Sequence, residues 1–180
     1  MIFKKLMEKP SRKILRILII LGFMMCLIII PIMQYFSGAS GYPPNLFASQ
    51  LSFNGEILKN YYAVTNIMLY RVSALLDYIF MTGYGIILFS SSVLITRTLN
   101  FSNKLQTIGF IISFFGVIAA LCDGIENIFI LTMLMEPLSF PNIWAISHSI
   151  FALIKWILLF ISILWIIIAG FLNLIKRKEN

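Results

Sequence analysis

The sequence predicts an all-α integral membrane protein: a four-helix bundle with both termini cytoplasmic (N-in/C-in) and a long outer loop or interfacial helix between the first two spans. Three observations carry that expectation. Hydrophobic residues make up 60% of the 180 positions and the mean hydropathy is +0.95, against about 45–50% apolar in a soluble domain. Four separate stretches reach the ~20 apolar residues that a helix needs to cross a bilayer. The basic residues gather at the ends of those stretches, as the positive-inside rule demands of cytoplasmic segments.

The first span is expected over Ile14–Met33. It follows five basic residues, Lys4, Lys5, Lys9, Arg12 and Lys13, and carries a sixth, Arg16, in its first turn. Small residues follow it, Ser37-Gly38-Ala39-Ser40, an order also found at signal-peptide cleavage sites. Its apolar part of about 18–20 residues exceeds the usual 7–15 of a signal core, so an uncleaved helix is expected.

The connection over 36–76 opens with turn signals at Ser37-Gly38 and Gly41-Tyr42-Pro43-Pro44. It then becomes aromatic, with Tyr61, Tyr62 and Tyr70, and tyrosine favours the membrane interface. Gly55–Leu76 reads as an interfacial helix or as an outward extension of the second span. A connection this long is seldom idle, and it is the natural lid over the outer mouth.

The second span is expected over Asp77–Thr96, the third over Thr107–Leu134 and the fourth over Ile143–Leu172. The last two exceed the minimum, so tilt or extension beyond the bilayer is expected. The whole chain, 1–180, reads as one membrane domain without internal repeats. The N-terminal stretch, the Arg97–Lys104 connection and the C-terminus hold eleven of the fourteen basic residues, and the Pro137–Asn142 connection holds none. An even number of spans then places both termini in the cytoplasm, with the cell membrane as the expected location.

The net charge of +7 does not point to nucleic acid, because its basic clusters flank apolar spans. Contact with anionic membrane lipid is the expected consequence. Cys26 and Cys122 form no CxxC pair, which excludes a thiol-redox enzyme. With one histidine and no spare cysteines, neither a metal site nor a bound cofactor is expected.

Asp123, Glu126 and Lys155 interrupt apolar spans, and Asp77 opens another. A charge at the centre of a spanning helix costs roughly 2.5–3.5 kcal/mol on insertion scales, so such residues face a protein interior and find partners. In the third span Gly109, Ser113, Gly116, Ala120, Asp123 and Asn127 recur at steps of four and three, a seam of small and polar residues suited to close packing. The fourth repeats His148, Lys155, Ser162 and Ala169 every seven residues, and the second repeats Asp77, Tyr84 and Ser91. Counting helix rise from the connections puts Asp77, Asp123, Glu126 and Lys155 in one layer, with His148 about two turns nearer the outside.

That layer sets three carboxylates against one ammonium. Charge balance in a low-dielectric site then calls for a proton or a further cation, and Arg71, His148, a ligand amine and an ion are the candidates to supply it. Asp77, Asp123, Glu126, Asn127, His148 and Lys155 are therefore the candidate ligand- or ion-binding residues; no catalytic residue is assigned. Trp144, Trp156 and Trp165 read as belt and lipid-facing residues.

The leading functional expectation is a site for an amphipathic or cationic small molecule or a lipid, with the carboxylates on the head and the apolar faces on the tail. The alternatives are an ion- or proton-coupled small transporter acting as a homodimer, and a structural or accessory subunit whose charges lock helices together.

Overall fold

A computed structural model describes residues 6–43, 46–98 and 103–178. Its elements are all helical: α1 (Arg12–Ala39), α2 (Leu46–Gln50), α3 (Gly55–Ala63), α4 (Ile67–Thr98), α5 (Asn103–Met133) and α6 (Asn142–Lys178). Four of them, α1, α4, α5 and α6, are long and apolar enough to cross a membrane.

Local chemistry sets their ends. The Ser11 hydroxyl accepts from the Ile14 amide and caps α1. At its other end Gly41, at φ 69°, turns the chain in the left-handed region that glycine adopts without strain. Asn54 caps α3 and Asn66 caps α4 through Leu69 N. The sequence left 55–76 as one helix of either kind. The structure splits it: Gly55–Ala63 is a separate helix, and residues from Ile67 onward belong to α4. The Asn66 cap is the physical reason, since it satisfies an amide at the head of a new helix.

Each long helix runs antiparallel to the next. Along α1 and α4 the close pairs are Gly22 with Gly83, Cys26 with Phe80, and Met33 with Ser73. A Cβ on Gly22 would lie 2.7 Å from Gly83 O, so the backbones touch where only glycine fits. Between α4 and α5 the pairs run from Asp77 with Asn127 to Thr96 with Gly109. Between α5 and α6 they run from Glu126 with His148 to Gly109 with Trp165.

The helices do not close into a square. α4, α5 and α6 pack on one another, whereas α1 lies on the outer side of α4. In α5 and α6 the small and polar stripes are the buried ones; in α4 the expected stripe of Asp77, Tyr84 and Ser91 is half-buried, and Ser73, Gly83, Gly85, Ser90 and Ser92 are buried instead. Gly109, Ser113, Gly116, Asp123 and Asn127 of α5 and Ala145, His148, Ala152, Lys155, Ser162 and Ala169 of α6 are buried, while Ala120 is half-buried. The large residues turn outward, Leu121, Ile128, Ile157, Phe160 and Ile167 among them. That inversion suits a lipid surround, where close backbone approach holds helices together.

The segment between α1 and α4 folds back over one end of the bundle. Phe53, at φ 50°, donates its amide to Ser149 Oγ at 3.0 Å, and the Gly55 amide donates to Asn142 Oδ1 at 2.6 Å. Tyr62, Leu58 and Phe140 complete a buried cluster with Met133 and Leu134. Burial raises the Tyr62 phenol well above its ordinary range, so it stays neutral there.

Candidate functional site

The site is built where α4, α5 and α6 converge, about 15–20 Å along each helix from the loop-covered end at 1.5 Å per residue. Asp123 and Glu126 stand on adjoining faces of α5, three residues apart. Opposite them on α6, His148 and Lys155 are two turns apart on one face, and Glu126 falls between the two. A helical side chain leans toward its own N-terminus, so the Lys155 stem points toward the covered end and reaches both acids.

Lys155 Nζ lies 2.9 Å from Asp123 Oδ1 and 2.5 Å from Glu126 Oε2. All three side chains are buried, at 4%, 4% and 1% exposure for Lys155, Asp123 and Glu126. Both contacts are buried ion pairs, and the one to Asp123 has hydrogen-bond geometry. The Tyr84 hydroxyl donates to Asp123 Oδ2 at 2.8 Å. His148 Nε2 is 3.5 Å from Glu126 Oε1, and His148 Nδ1 is buried without a hydrogen-bond partner.

Asp77 stands apart from the ammonium. Its Oδ2 accepts from the Asn127 side-chain amide at 2.6 Å, and among the described residues no cation lies within ion-pair distance of it. Arg71 is engaged elsewhere: its Nη2 donates to Leu134 O at 2.9 Å, beyond the last turn of α5, a favourable place for a cation. The layer expected from helix rise is thus present, but its countercharge does not come from Arg71. His148, expected two turns farther out, meets Glu126 because Glu126 is set midway between His148 and Lys155.

The polar layer borders a cavity of about 510 Å³. Asp77, Tyr84, Asp123, Asn127 and Lys155 face it; Glu126 and His148 lie behind Lys155 and do not line it. The rest of the wall is mostly apolar, including Met33, Phe80, Ile87, Leu88, Leu159 and Ile163. Tyr42, Pro43 and Gln50 cover it from the folded-back segment. Tyr42 stacks on Tyr70 with ring centroids 4.1 Å apart. Burial holds the Tyr42 phenol above its ordinary range, against the opposing hydrogen bonds to Ser49 and Tyr70.

Two residues corrected by this geometry are Trp156 and Tyr84. Trp156, read as lipid-facing, lines the cavity, donates Nε1–H to Gln50 Oε1 at 2.8 Å and packs against Phe47 in a tilted contact with ring centroids 4.8 Å apart. Lys155 Nζ sits 5.5 Å from its ring centroid, within cation–π reach. Tyr84, which the sequence places in the second stripe but not among the candidate site residues, orients Asp123. Its recurrence at seven residues from Asp77 was the available signal; Gln50 offered none.

Among the described residues, no group of three or more His, Cys, Asp and Glu is placed to hold a metal ion. The chain matches no protein-family model, and no curated protein or solved structure is similar to it. Function is therefore argued from the site.

Proposed function

We propose that this is an integral protein of the cell membrane, with both termini cytoplasmic, that binds an amphipathic cation in the cavity its charged layer borders. One observation carries the reading: Asp77 faces a mostly apolar cavity with a neutral amide as its hydrogen-bond partner, whereas Asp123, which faces the same cavity, is paired with Lys155. The ammonium of Lys155 is already shared by Asp123 and Glu126. A carboxylate in such surroundings is costly without a cation, and a ligand amine with a hydrocarbon body supplies both the charge and the apolar surface. A volume of 510 Å³ falls within the usual range for small-molecule sites, roughly 300–1,000 Å³. Gln50, Trp156 and Tyr42 would gate the covered end.

The test is titration of the purified protein in phosphatidylcholine nanodiscs with dodecylamine, dodecanol and dodecyl sulfate. The amine should bind and the other two should bind at least tenfold more weakly. Asp77→Asn should remove the amine preference while leaving the melting temperature within a few degrees. Equal binding of all three compounds would sink the cationic reading. Absence of binding together with a large fall in melting temperature for Asp77→Asn would instead favour a helix-locking role. Reporter fusions at Ser49 and Lys104 should report opposite sides of the membrane.

A further inference from the structure

We infer that the cavity opens sideways into the bilayer between α1 and α6, and that its occupant is a single-chain alkyl amine taken up from the membrane, with its tail running toward the end of the bundle that holds the chain termini. This rests on the amine reading of Asp77 and adds where the tail lies and by which route it arrives.

The shape comes first. On α4 the lining runs from Tyr70 to Leu88, about 27 Å at helical rise. A sphere of 510 Å³ would be only about 10 Å across, so the space is a long groove rather than a chamber. From Asp77 to Leu88 the helix advances about 16 Å, close to the extended length of a dodecyl chain built from ~1.5 Å bonds. The walls of that stretch are Ile87 and Leu88 on α4 and Leu159 and Ile163 on α6. A polar head and a thin apolar tail match this profile; a compact ring system does not.

The opening comes second. α1 contributes only Met33, Gln34 and Ser37, near its C-terminal end. α1 packs on α4 and forms no packed interface with α6, so α1 does not wall the deeper groove. Ile163 lines the groove and is yet 48% exposed. Its neighbours along the same surface, Phe160 and Ile167, are 67% and 61% exposed, and all three lie inside the spanning part of α6, Asn142–Leu172. An opening bordered by such residues, at that depth, faces lipid. The other end is fastened: Gln50 holds Trp156 and the Phe47 ring packs against it.

The test uses a twelve-carbon primary amine carrying a diazirine at its far end, with the protein in phosphatidylcholine nanodiscs. After irradiation, labelled peptides are located by mass spectrometry. The expected label falls on Ile87–Leu88 and Leu159–Ile163 and is competed away by dodecylamine. Ile163→Trp, a change at an exposed position that should not impair folding, should cut this labelling at least tenfold. It should leave butylamine affinity within twofold, because a four-carbon tail ends short of that level. Competed label on Tyr42, Pro43 or Gln50 would overturn the inference by placing the tail at the covered mouth. An equal loss of butylamine and dodecylamine binding in Ile163→Trp would overturn it as well. Groove labelling that persists in Asp77→Asn would overturn the amine reading while leaving the sideways groove standing. No competed label anywhere would overturn both.

Discussion

Asp77 of α4 and Asn127 of α5 are joined by a 2.6 Å hydrogen bond from the amide to the carboxylate. The acid that borders the cavity is thus held by a neutral group, whereas the Lys155 ammonium is committed to two other acids. Replacing Asn127 by Leu should lower stability by about 1–3 kcal/mol, the cost of leaving a buried acceptor without its donor. Dodecylamine should restore part of the loss, because a ligand that binds the folded state stabilises it. Thermal melts with and without the amine check this; an amine-independent loss would mean that the two residues only lock helices.

Lys155→Met removes the one ammonium shared by Asp123 and Glu126. Breaking a buried pair leaves uncompensated charge and costs about 3–5 kcal/mol. Lys13→Met, at an exposed position, should change stability by no more than about 0.5 kcal/mol. Comparable melting of the two variants in detergent would place Lys155 at a hydrated surface. Adding Asp123→Asn to Lys155→Met should recover part of the loss, since contacting sites are not additive.

Tyr84→Phe deletes the hydroxyl that donates to Asp123 Oδ2. Hydrogen bonds to charged groups contribute roughly 1.5–3 kcal/mol, so the melting temperature should fall. Amine affinity should drop less than in Asp77→Asn, because Asp77 stays in place. A larger affinity loss in Tyr84→Phe than in Asp77→Asn would move the cation anchor to Asp123.

Gln50→Ala frees the Trp156 indole from the folded-back segment. The change lies away from the charged layer, so the amine association rate should stay within about threefold. Dissociation should accelerate if the segment retains the ligand, and most affinity changes at one interface are carried by off-rates. Stopped-flow fluorescence of Trp156 reads both rates, and an unchanged off-rate would remove the gating role.

Gly83→Val tests the placement of α1. A Cβ at Gly83 would lie 2.8 Å from Cys26 Sγ and 3.1 Å from Gly22 O, the second of which is backbone and cannot swing aside. Overpacking of this kind typically costs about 1–3 kcal/mol. Cross-linking of Cys26 to a cysteine placed at Phe80 should weaken in the variant; unchanged cross-linking would mean that α1 is not seated as described.

The four membrane-length helices and the buried stripes of α5 and α6 were legible in the chain alone. Apolar length and spacing are local properties, and the seams of Gly109–Asn127 and His148–Ala169 were legible because lipid admits small and polar residues only against other helices. Helix rise alone also placed Lys155 level with Asp123 and Glu126. That Asn127 serves Asp77, that Arg71 holds the carbonyl beyond the end of α5, and that Gln50 fastens Trp156 emerges from the packed bundle. Each of these depends on how one helix is rotated about its axis relative to another, or on where a connecting segment folds, and no periodicity encodes either. The cavity itself exists because α1 rests on α4 at the Gly22–Gly83 contact instead of closing against α6. That choice is made by backbone approach between two helices far apart in the chain.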